Sequence, residues 1–332
     1  MRIEKKLGYL VLCALLLAGC GSALSQSGTA ASSLSLSAAS AAVPTAAPID
    51  TAAEAAALEL PPPPAVPVVL QPLASGQAEK RCDTAVIDYS HTADGYVMVQ
   101  YTAQTEKRLK VLVKGPATTY SYNLTPGQWG VFPLSDGNGS YTIGVYQNVY
   151  DKKYATVLSA SCQVELQDEF APFLRPNQYV DYNEASATVA KGAQLTAGLE
   201  DPLEKVAAVY DYVVQTFSYD YDRAATVKSG YLPVLDQVLA EEKGICFDYA
   251  AVMAAMLRSQ EIPCKLVVGY AGEVYHAWIS VWTEENGWVD GVIFFDGQVW
   301  KRMDPTFASS GGRSDEIMDY IEHGTYTAKY LY

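Results

Sequence analysis

Apolar and polar residues alternate with a period of two through residues 82–167, a pattern that predicts β-strands. The alternation is clearest at Val97, Val99 and Tyr101, and Asp-Gly, Gly-Pro and Pro-Gly pairs separate the runs. The predicted strands are Thr84–Tyr89, Tyr96–Ala103, Arg108–Val113, Thr119–Leu124, Trp129–Pro133, Ser140–Gln147 and Tyr154–Leu166. Short strands separated by turns at this spacing predict an all-β sandwich of the immunoglobulin or fibronectin kind over residues 82–167.

The later part of the chain has a helical pattern first and a strand pattern afterwards. Apolar residues recur every three or four positions over Leu203–Phe217 and again over Cys246–Ser259, which predicts two helices. The strands predicted after the second helix are Lys265–Tyr270, Tyr275–Trp282, Gly287–Val289, Val292–Phe295 and Gln298–Met303. Helices followed by an antiparallel sheet predict an α+β domain, which we place at residues 177–332.

Residues 1–19 have the pattern of a signal peptide, with a basic start and an apolar run too short to span a bilayer. The run ends in Leu17-Ala18-Gly19-Cys20, which resembles the lipobox of bacterial lipoproteins. This resemblance implies lipidation of Cys20 and an extracellular, lipid-anchored location at the outer face of the bacterial cytoplasmic membrane. An ordinary secreted protein cleaved nearby and an uncleaved anchor are the alternatives. Residues 20–80 are rich in Ser, Ala and Pro, which predicts a disordered tether.

Charge and composition argue against two classes of function. The formal net charge of −14 repels phosphate backbones, so we expect no nucleic-acid partner. The chain has three histidines, too few for a polyhistidine metal centre, and we expect no bound metal.

Cys82 and Cys162 fall at the first and last predicted strands of the sandwich. In an oxidising compartment they could form a disulfide, and the alternative is two buried thiols.

Three residues in separate predicted elements supply the groups of a thiol enzyme. Cys246 opens the second predicted helix, where unpaired amide groups and the helix dipole favour a thiolate. His276 lies in a predicted strand and Asp304 at a strand end. A cysteine nucleophile needs a base to take its proton, and an imidazole needs a carboxylate to fix its tautomer. Taken singly, each residue also has an ordinary structural interpretation, but their combination favours an enzyme.

Six short segments follow one another in order between residues 244 and 306. They are Gly244-Ile245-Cys246-Phe247-Asp248-Tyr249-Ala250, Met256-Leu257-Arg258, Ile262-Pro263-Cys264-Lys265, Gly269-Tyr270, His276-Ala277-Trp278 and Asp304-Pro305-Thr306. Their order and spacing resemble the bacterial extracellular branch of the transglutaminase-like superfamily, over about residues 177–310. The resemblance implies a papain-like core in which Cys246 is the nucleophile, His276 the general base and Asp304 the orienting carboxylate.

Two features depart from the pattern of that family. Ile279-Ser280 follows the His-Ala-Trp motif, where many members have Asn or Val and a carboxylate. The segment Thr283–Phe295 resembles an insertion between the histidine and aspartate strands, which would reshape the substrate cleft.

The resemblance implies a transglutaminase-like cysteine protease, amidase or acyltransferase that acts on amide bonds of protein or peptide substrates, including substrates associated with the cell wall. A thioester on Cys246 would be hydrolysed by water or captured by an amine, and the sequence leaves both open. The backbone N–H of Cys246 is one candidate oxyanion donor, and the side chain of Gln215 or Tyr219 is a second. This chemistry requires no cofactor. The alternative function is a catalytically silent surface lipoprotein that binds cell-wall or protein partners.

Overall fold

In the computed structural model, which describes residues 65–290, 293–295, 300–302 and 325–332, two four-stranded antiparallel sheets form between residues 79 and 164. Their strands are β1 (Glu79–Arg81), β2 (Ala85–Asp88), β3 (Tyr96–Tyr101), β4 (Leu109–Lys114), β5 (Thr119–Leu124), β6 (Trp129–Pro133), β7 (Gly139–Tyr150) and β8 (Lys153–Val164). One sheet has the order β1-β2-β3-β6 and the other β5-β4-β7-β8. Leu109, Val111 and Val113 alternate into the buried core, as the period of two predicts.

The seven predicted strands correspond to β2–β8, and the sandwich prediction is confirmed. Strand β1 was missed because its residues are all polar, so that it carries no apolar alternation. A Cys82–Cys162 disulfide is not formed, and both are free thiols. The Cys82 Sγ atom lies 3.9 Å from the carbonyl oxygen of Val157 on β8. Cys162 is five residues farther along this strand, roughly 16 Å away at about 3.3 Å per residue, so the sulfurs are out of reach.

The α+β part contains five helices and eight strands among the described residues. The helices are α1 (Ala187–Leu195), α2 (Pro202–Thr216), α3 (Tyr221–Thr226), α4 (Leu235–Glu241) and α5 (Cys246–Arg258). The strands are β9 (Ser218–Tyr219), β10 (Lys243–Gly244), β11 (Cys264–Ala271), β12 (Val274–Thr283), β13 (Gly287–Asp290), β14 (Ile293–Phe295), β15 (Trp300–Arg302) and β16 (Tyr326–Leu331). The main sheet has the order β13-β12-β11-β16. This arrangement confirms the α+β prediction.

Helix α5 is the centre of this part. It contacts β11 and β12 on one side and α1, α2 and α4 on the other. Residues 249–257 are all almost fully buried, as expected of a helix that is apolar around its whole circumference. Helix α2 begins where its sequence predicts, because the Asp201 side chain accepts a hydrogen bond from the N–H of Leu203 at 2.8 Å.

Strand β16 joins the α+β part to the sandwich. It pairs with β11, and the ring of Tyr332 just after it lies 5.7 Å from Tyr120 and 5.8 Å from Tyr122, both on β5. Tyr122 also stacks on Tyr179 at 5.6 Å. All described residues belong to one compact unit, with this aromatic cluster within it.

Residues 283–290 of the predicted insertion end one hairpin, and residues 293–295 form β14, which pairs with β15. None of these described residues lines the cavity described below. Strand β13 pairs with the end of β12, and Trp288 lies 5.5 Å from Phe173. The Lys265 Nζ atom lies 3.4 Å from the centre of the Trp288 ring.

Helices long and apolar enough to cross a membrane do not occur among the described residues. The predicted signal peptide, Cys20 and most of the predicted tether lie outside them.

Candidate active site

Cys246 is the first residue of helix α5, and its surroundings fix where that helix starts. Ile245 is extended, and its N–H donates to Asp248 Oδ2 at 2.8 Å, which caps the helix from its third residue. Gly244 is needed here because a Cβ atom on it would lie 2.6 Å from Cβ of Asp248. Half-buried Cys246 therefore sits where the free amide groups of a first helical turn converge.

His276 is held on β12 by aromatic neighbours. It is 5% exposed, and its ring lies 6.2 Å from Trp278 and 6.4 Å from Tyr326. Its partner across the sheet is Gly269 on β11, where the pairing with β16 is irregular. A Cβ atom on Gly269 would overlap the carbonyl oxygen of Thr327, so glycine allows β16 to approach β11 closely.

Cys246 and His276 line the same cavity, whose volume is about 550 Å³. The other described lining residues are Ser121, Tyr179, Tyr219, Ala224, Val227, Lys228, Ser229, Gly230, Tyr231, Ile245, Phe247, Val268, Tyr275, Ala277, Tyr330 and Tyr332. The cavity thus draws on the sandwich, through Ser121, as well as on the α+β part.

The remaining predicted site residues have different positions. Asp304 lies outside the described residues, so its role stays a prediction. Tyr219 lines the cavity on β9, paired with Gly244 on β10, two residues before Cys246. Gln215 is exposed on α2 and is absent from the described part of the cavity wall. The structure therefore brings one of the two side-chain oxyanion candidates to the cavity and leaves the other outside.

One wall of the cavity is formed by residues 220–231, which we call the arm. Its Tyr231 hydroxyl donates to Asp248 Oδ1 at 2.6 Å, and Arg223 Nη1 lies 3.3 Å from Asp248 Oδ2. Asp248 is fully buried. Burial raises the pKa of this carboxyl group, and the bonds from Tyr231, Ile245 and Arg223 oppose that rise. The arm is therefore anchored to the same helix turn that carries Cys246.

The start of the arm is also ordered. Asp220 caps helix α3 by accepting from the N–H of Arg223 at 3.0 Å and lies 3.4 Å from Lys243 Nζ. The backbone hydrogen bond from Arg223 lowers the pKa of Asp220, and the positive charge of Lys243 lowers it to a smaller extent.

Side-chain clusters able to hold a metal ion are absent from the described residues.

The last residue of α5 anchors a second wall of the cavity. The guanidinium of Arg258 is fully buried and donates to three carbonyl oxygens, those of Cys264 at 2.9 Å, Arg175 at 2.8 Å and Tyr332 at 2.6 Å. Burial lowers the pKa of Arg258. Because Tyr332 lines the cavity, Arg258 fixes the wall formed by β16 and the residue after it.

The two cysteines of the α+β part have unlike surroundings. Cys264 is fully buried at the start of β11, and burial raises the pKa of its thiol to about 12. Cys246 is half-buried and lines the cavity. A reagent that enters the cavity therefore meets the Cys246 sulfur, whereas Cys264 is protected by packing.

Sequence reasoning missed Asp248, Tyr231 and Arg258 as determinants of the site. Asp248 had a readable signal, because an acidic residue at the third position of a helix is a capping pattern. Tyr231 and Tyr332 reach the cavity from segments far apart in sequence, so no local pattern marks them.

The region that contains Cys246 and His276 is similar to known proteins. The sequence model of the transglutaminase-like superfamily matches residues 189–291. The chain is 31% identical over 116 residues to the uncharacterised protein YebA of Bacillus subtilis strain 168, covering 29% of this chain. It is 32% identical over 119 residues to a protein-glutamine gamma-glutamyltransferase of Pseudomonas aeruginosa, covering 32% of this chain. In both comparisons the chain spans 16% of the relative's length.

Among solved structures, a candidate cysteine protease of Cytophaga hutchinsonii is similar at 16% identity and a TM-score of 0.33. This match covers 71% of the present chain and 83% of that protein.

Proposed function

Starting from the transglutaminase-like domain that residues 189–291 form, we propose that this protein is a thiol enzyme that acts on amide bonds of proteins or peptides. One observation carries the proposal: Cys246, at the start of a buried helix, and buried His276 line one cavity. A nucleophile and a base that converge on a cavity are the minimum arrangement for covalent acyl chemistry.

In the proposed reaction the Cys246 thiolate attacks the carbonyl carbon of an amide, and the carbonyl oxygen becomes an oxyanion. The N–H of Cys246 and the Tyr219 hydroxyl are the candidate donors to that oxygen. The carbon–nitrogen bond then breaks, and His276 protonates the departing nitrogen, which leaves ammonia or an amine and a thioester on Cys246. Asp304 would orient the imidazole and balance its positive charge.

The second half of the cycle determines the class of enzyme. If His276 deprotonates water, the thioester is hydrolysed, whereas capture by an amine gives a new amide bond. The Pseudomonas relative is named for transfer of the glutamine acyl group, so we propose glutamine side chains as the first substrates to examine. We further propose that the enzyme acts outside the cell, held at the membrane by a lipid on Cys20.

The proposal is tested by trapping the thioester. The full chain is mixed with a glutamine-containing protein such as dimethylcasein, quenched in acid and digested, and the peptide that contains Cys246 is weighed by mass spectrometry. We expect an acyl adduct on Cys246, release of ammonia, and incorporation of dansylcadaverine if an amine is the acceptor. Omitting dansylcadaverine shows whether water serves instead.

The matched control exploits the other thiols of the chain. Cys246→Ala should abolish ammonia release, whereas Cys82→Ala, which removes an exposed thiol of the sandwich, should leave it unchanged. Equal activity in wild type and Cys246→Ala would contradict the proposal. Complete inactivity of the wild type toward amides, with tight binding to a wall polymer or protein, would favour the silent binding lipoprotein.

A further inference from the structure

Aromatic side chains are the most numerous kind in the wall of the cavity. Seven of its described residues have phenyl or phenol rings: Tyr179, Tyr219, Tyr231, Phe247, Tyr275, Tyr330 and Tyr332. Apart from His276, the charged residue of the described wall is Lys228, and none of the described lining residues is a carboxylate. The catalytic groups therefore sit in aromatic surroundings, although the chain as a whole is strongly acidic.

This apolar surface continues out of the cavity into solvent. Tyr275 is 57% exposed and Val227 is 40% exposed, although both line the cavity. Beyond the lining, Tyr270 packs edge-on against Tyr275 at 5.5 Å, and Tyr221 packs edge-on against Tyr219 at 5.0 Å. We call this set of five residues the aromatic rim: Tyr219, Tyr221, Val227, Tyr270 and Tyr275. Exposed large apolar side chains that are contiguous commonly mark a binding surface.

Tyr275 lies close to the reacting atoms. It immediately precedes His276 on β12, and its pKa is raised by burial first and by Tyr330, Tyr270 and Cys246 in smaller part. A substrate segment that crosses the cavity mouth to reach Cys246 would therefore cover Tyr275.

The size and polarity of the cavity limit the substrate. A volume of about 550 Å³ is within the usual range for ligand sites and exceeds what one amide side chain fills. A charged residue of the substrate beside the reactive amide would lose water without an opposite charge nearby, except for an anion at exposed Lys228. The net charge of −14 also repels acidic substrate segments.

Resting on the proposed thiol chemistry, we propose that the acyl donor is a polypeptide segment in which aromatic or large aliphatic residues flank the reactive amide. Tyr275 and Val227 of the aromatic rim are its specificity-determining residues. Tyr275 supplies a face for an aromatic side chain, and Val227 supplies apolar contact from the arm.

The test uses peptide electrophiles that report on Cys246 directly. A chloromethyl ketone isostere of glutamine is placed between two Phe, two Lys or two Glu residues. The Cys246 sulfur forms a bond to the methylene carbon and chloride leaves. The modification is counted by mass spectrometry of the peptide that contains Cys246, which separates it from the exposed thiol of Cys82. Every rate is divided by the rate of Cys246 modification by iodoacetamide in the same variant, which removes changes in thiol reactivity.

We expect the Phe-flanked probe to react roughly tenfold faster than the Lys- or Glu-flanked probe, the ratio given by a contact worth about 1.4 kcal/mol. Tyr275→Ala should remove most of that preference. Val227→Glu should raise the relative rate of the Lys-flanked probe several-fold, a gain that unfolding cannot mimic. Tyr150→Ala is the matched control, because Tyr150 is also a well-exposed tyrosine and lies on the β7–β8 hairpin of the sandwich.

Equal normalised rates for the three probes in wild type, or a preference that survives Tyr275→Ala, would overturn the inference while the proposed function stands. Failure of iodoacetamide to modify Cys246 in the native chain would instead refute the proposed function and this inference with it.

Discussion

Removing one hydroxyl group from the arm tests whether Asp248 holds the cavity wall to the helix of Cys246. In Tyr231→Phe the ring remains, but Asp248 Oδ1 loses the donor now 2.6 Å away. The N–H of Ile245 and the guanidinium of Arg223 still contact Oδ2. The substitution therefore removes one of three contacts to a fully buried carboxyl group and leaves the others in place.

The expected loss of stability follows from the kind of bond that is removed. A hydrogen bond to a charged group contributes about 1.5–3 kcal/mol, so the free energy of unfolding should fall by that amount at neutral pH. For a unit of this size the melting temperature should fall by roughly 3–12 °C, at about 2–4 °C per kcal/mol.

The pH dependence gives the prediction a second, more specific readout. Burial raises the pKa of Asp248, and the bond from Tyr231 lowers it, so the variant should raise this pKa further. A carboxyl group with a raised folded pKa stabilises the protein fully only below its unfolded value near 3.8, and that stability is lost as pH rises through the folded value. The difference in free energy of unfolding between wild type and Tyr231→Phe should therefore shrink as pH falls from 7.5 toward 4.5.

Urea unfolding of wild type and variant at both pH values measures these quantities. Tyr150→Phe, at an exposed site on the sandwich, is the matched control and should change stability by less than about 0.5 kcal/mol. A deficit below about 0.5 kcal/mol in Tyr231→Phe, or one that is equal at both pH values, would refute the role assigned to the Tyr231–Asp248 bond.

Three further predictions concern the other end of α5 and the sheet. Arg258→Ala removes three hydrogen bonds from a buried guanidinium, although the Tyr332 carbonyl oxygen keeps the N–H of Leu266 as a second donor. We expect a loss of about 3–5 kcal/mol in urea unfolding. A loss below about 1 kcal/mol, close to that of exposed Arg81→Ala, would contradict this. Cys264 has a thiol pKa of about 12, so it should resist iodoacetamide at pH 8 in the native chain and react after unfolding. The stability that its burial contributes should be lost as pH rises from 9 to 12, and rapid labelling of the native chain would show that β11 is open. Gly269→Ala places a Cβ atom 2.9 Å from Trp278 and against β16, and should cost about 1–3 kcal/mol, read from melting temperature; an unchanged melting temperature would show that β16 yields freely.

The parts of the fold that follow from local pattern were predictable. Helix α2 and strands β4 and β5 carry clear periodicities, and the other predicted elements are apolar runs bounded by turn residues. The structure has α2, α5 and β2–β8 close to the predicted limits. Helix α4 has only seven residues, and the apolar residues of strand β16 do not alternate regularly with polar ones, so neither offers enough apolar repeats to be read from sequence. Their places are fixed by partners far along the chain, which is information a local pattern does not contain.

The candidate site shows the same division. Cys246 and His276 were found because each stands in a distinctive short motif, and the structure has both in one cavity. Gln215 was a weaker choice that helix geometry argues against. It follows buried Val213 by two residues, or about 200° around α2, and so lies on the exposed face. Tyr179 and Tyr332 reach the cavity through tertiary packing alone.

Helix α5 determines the width of the cavity as well as the position of Cys246. Asp248 anchors the arm, and Arg258 anchors the residue that follows β16. The two anchors are ten residues apart on one buried helix, or about 15 Å at 1.5 Å per residue. Because a packed helix does not stretch, the separation of these two walls is set by a rigid element, although the arm itself is largely exposed. Substrate size should therefore be governed by side chains of the aromatic rim, which can change without moving Cys246.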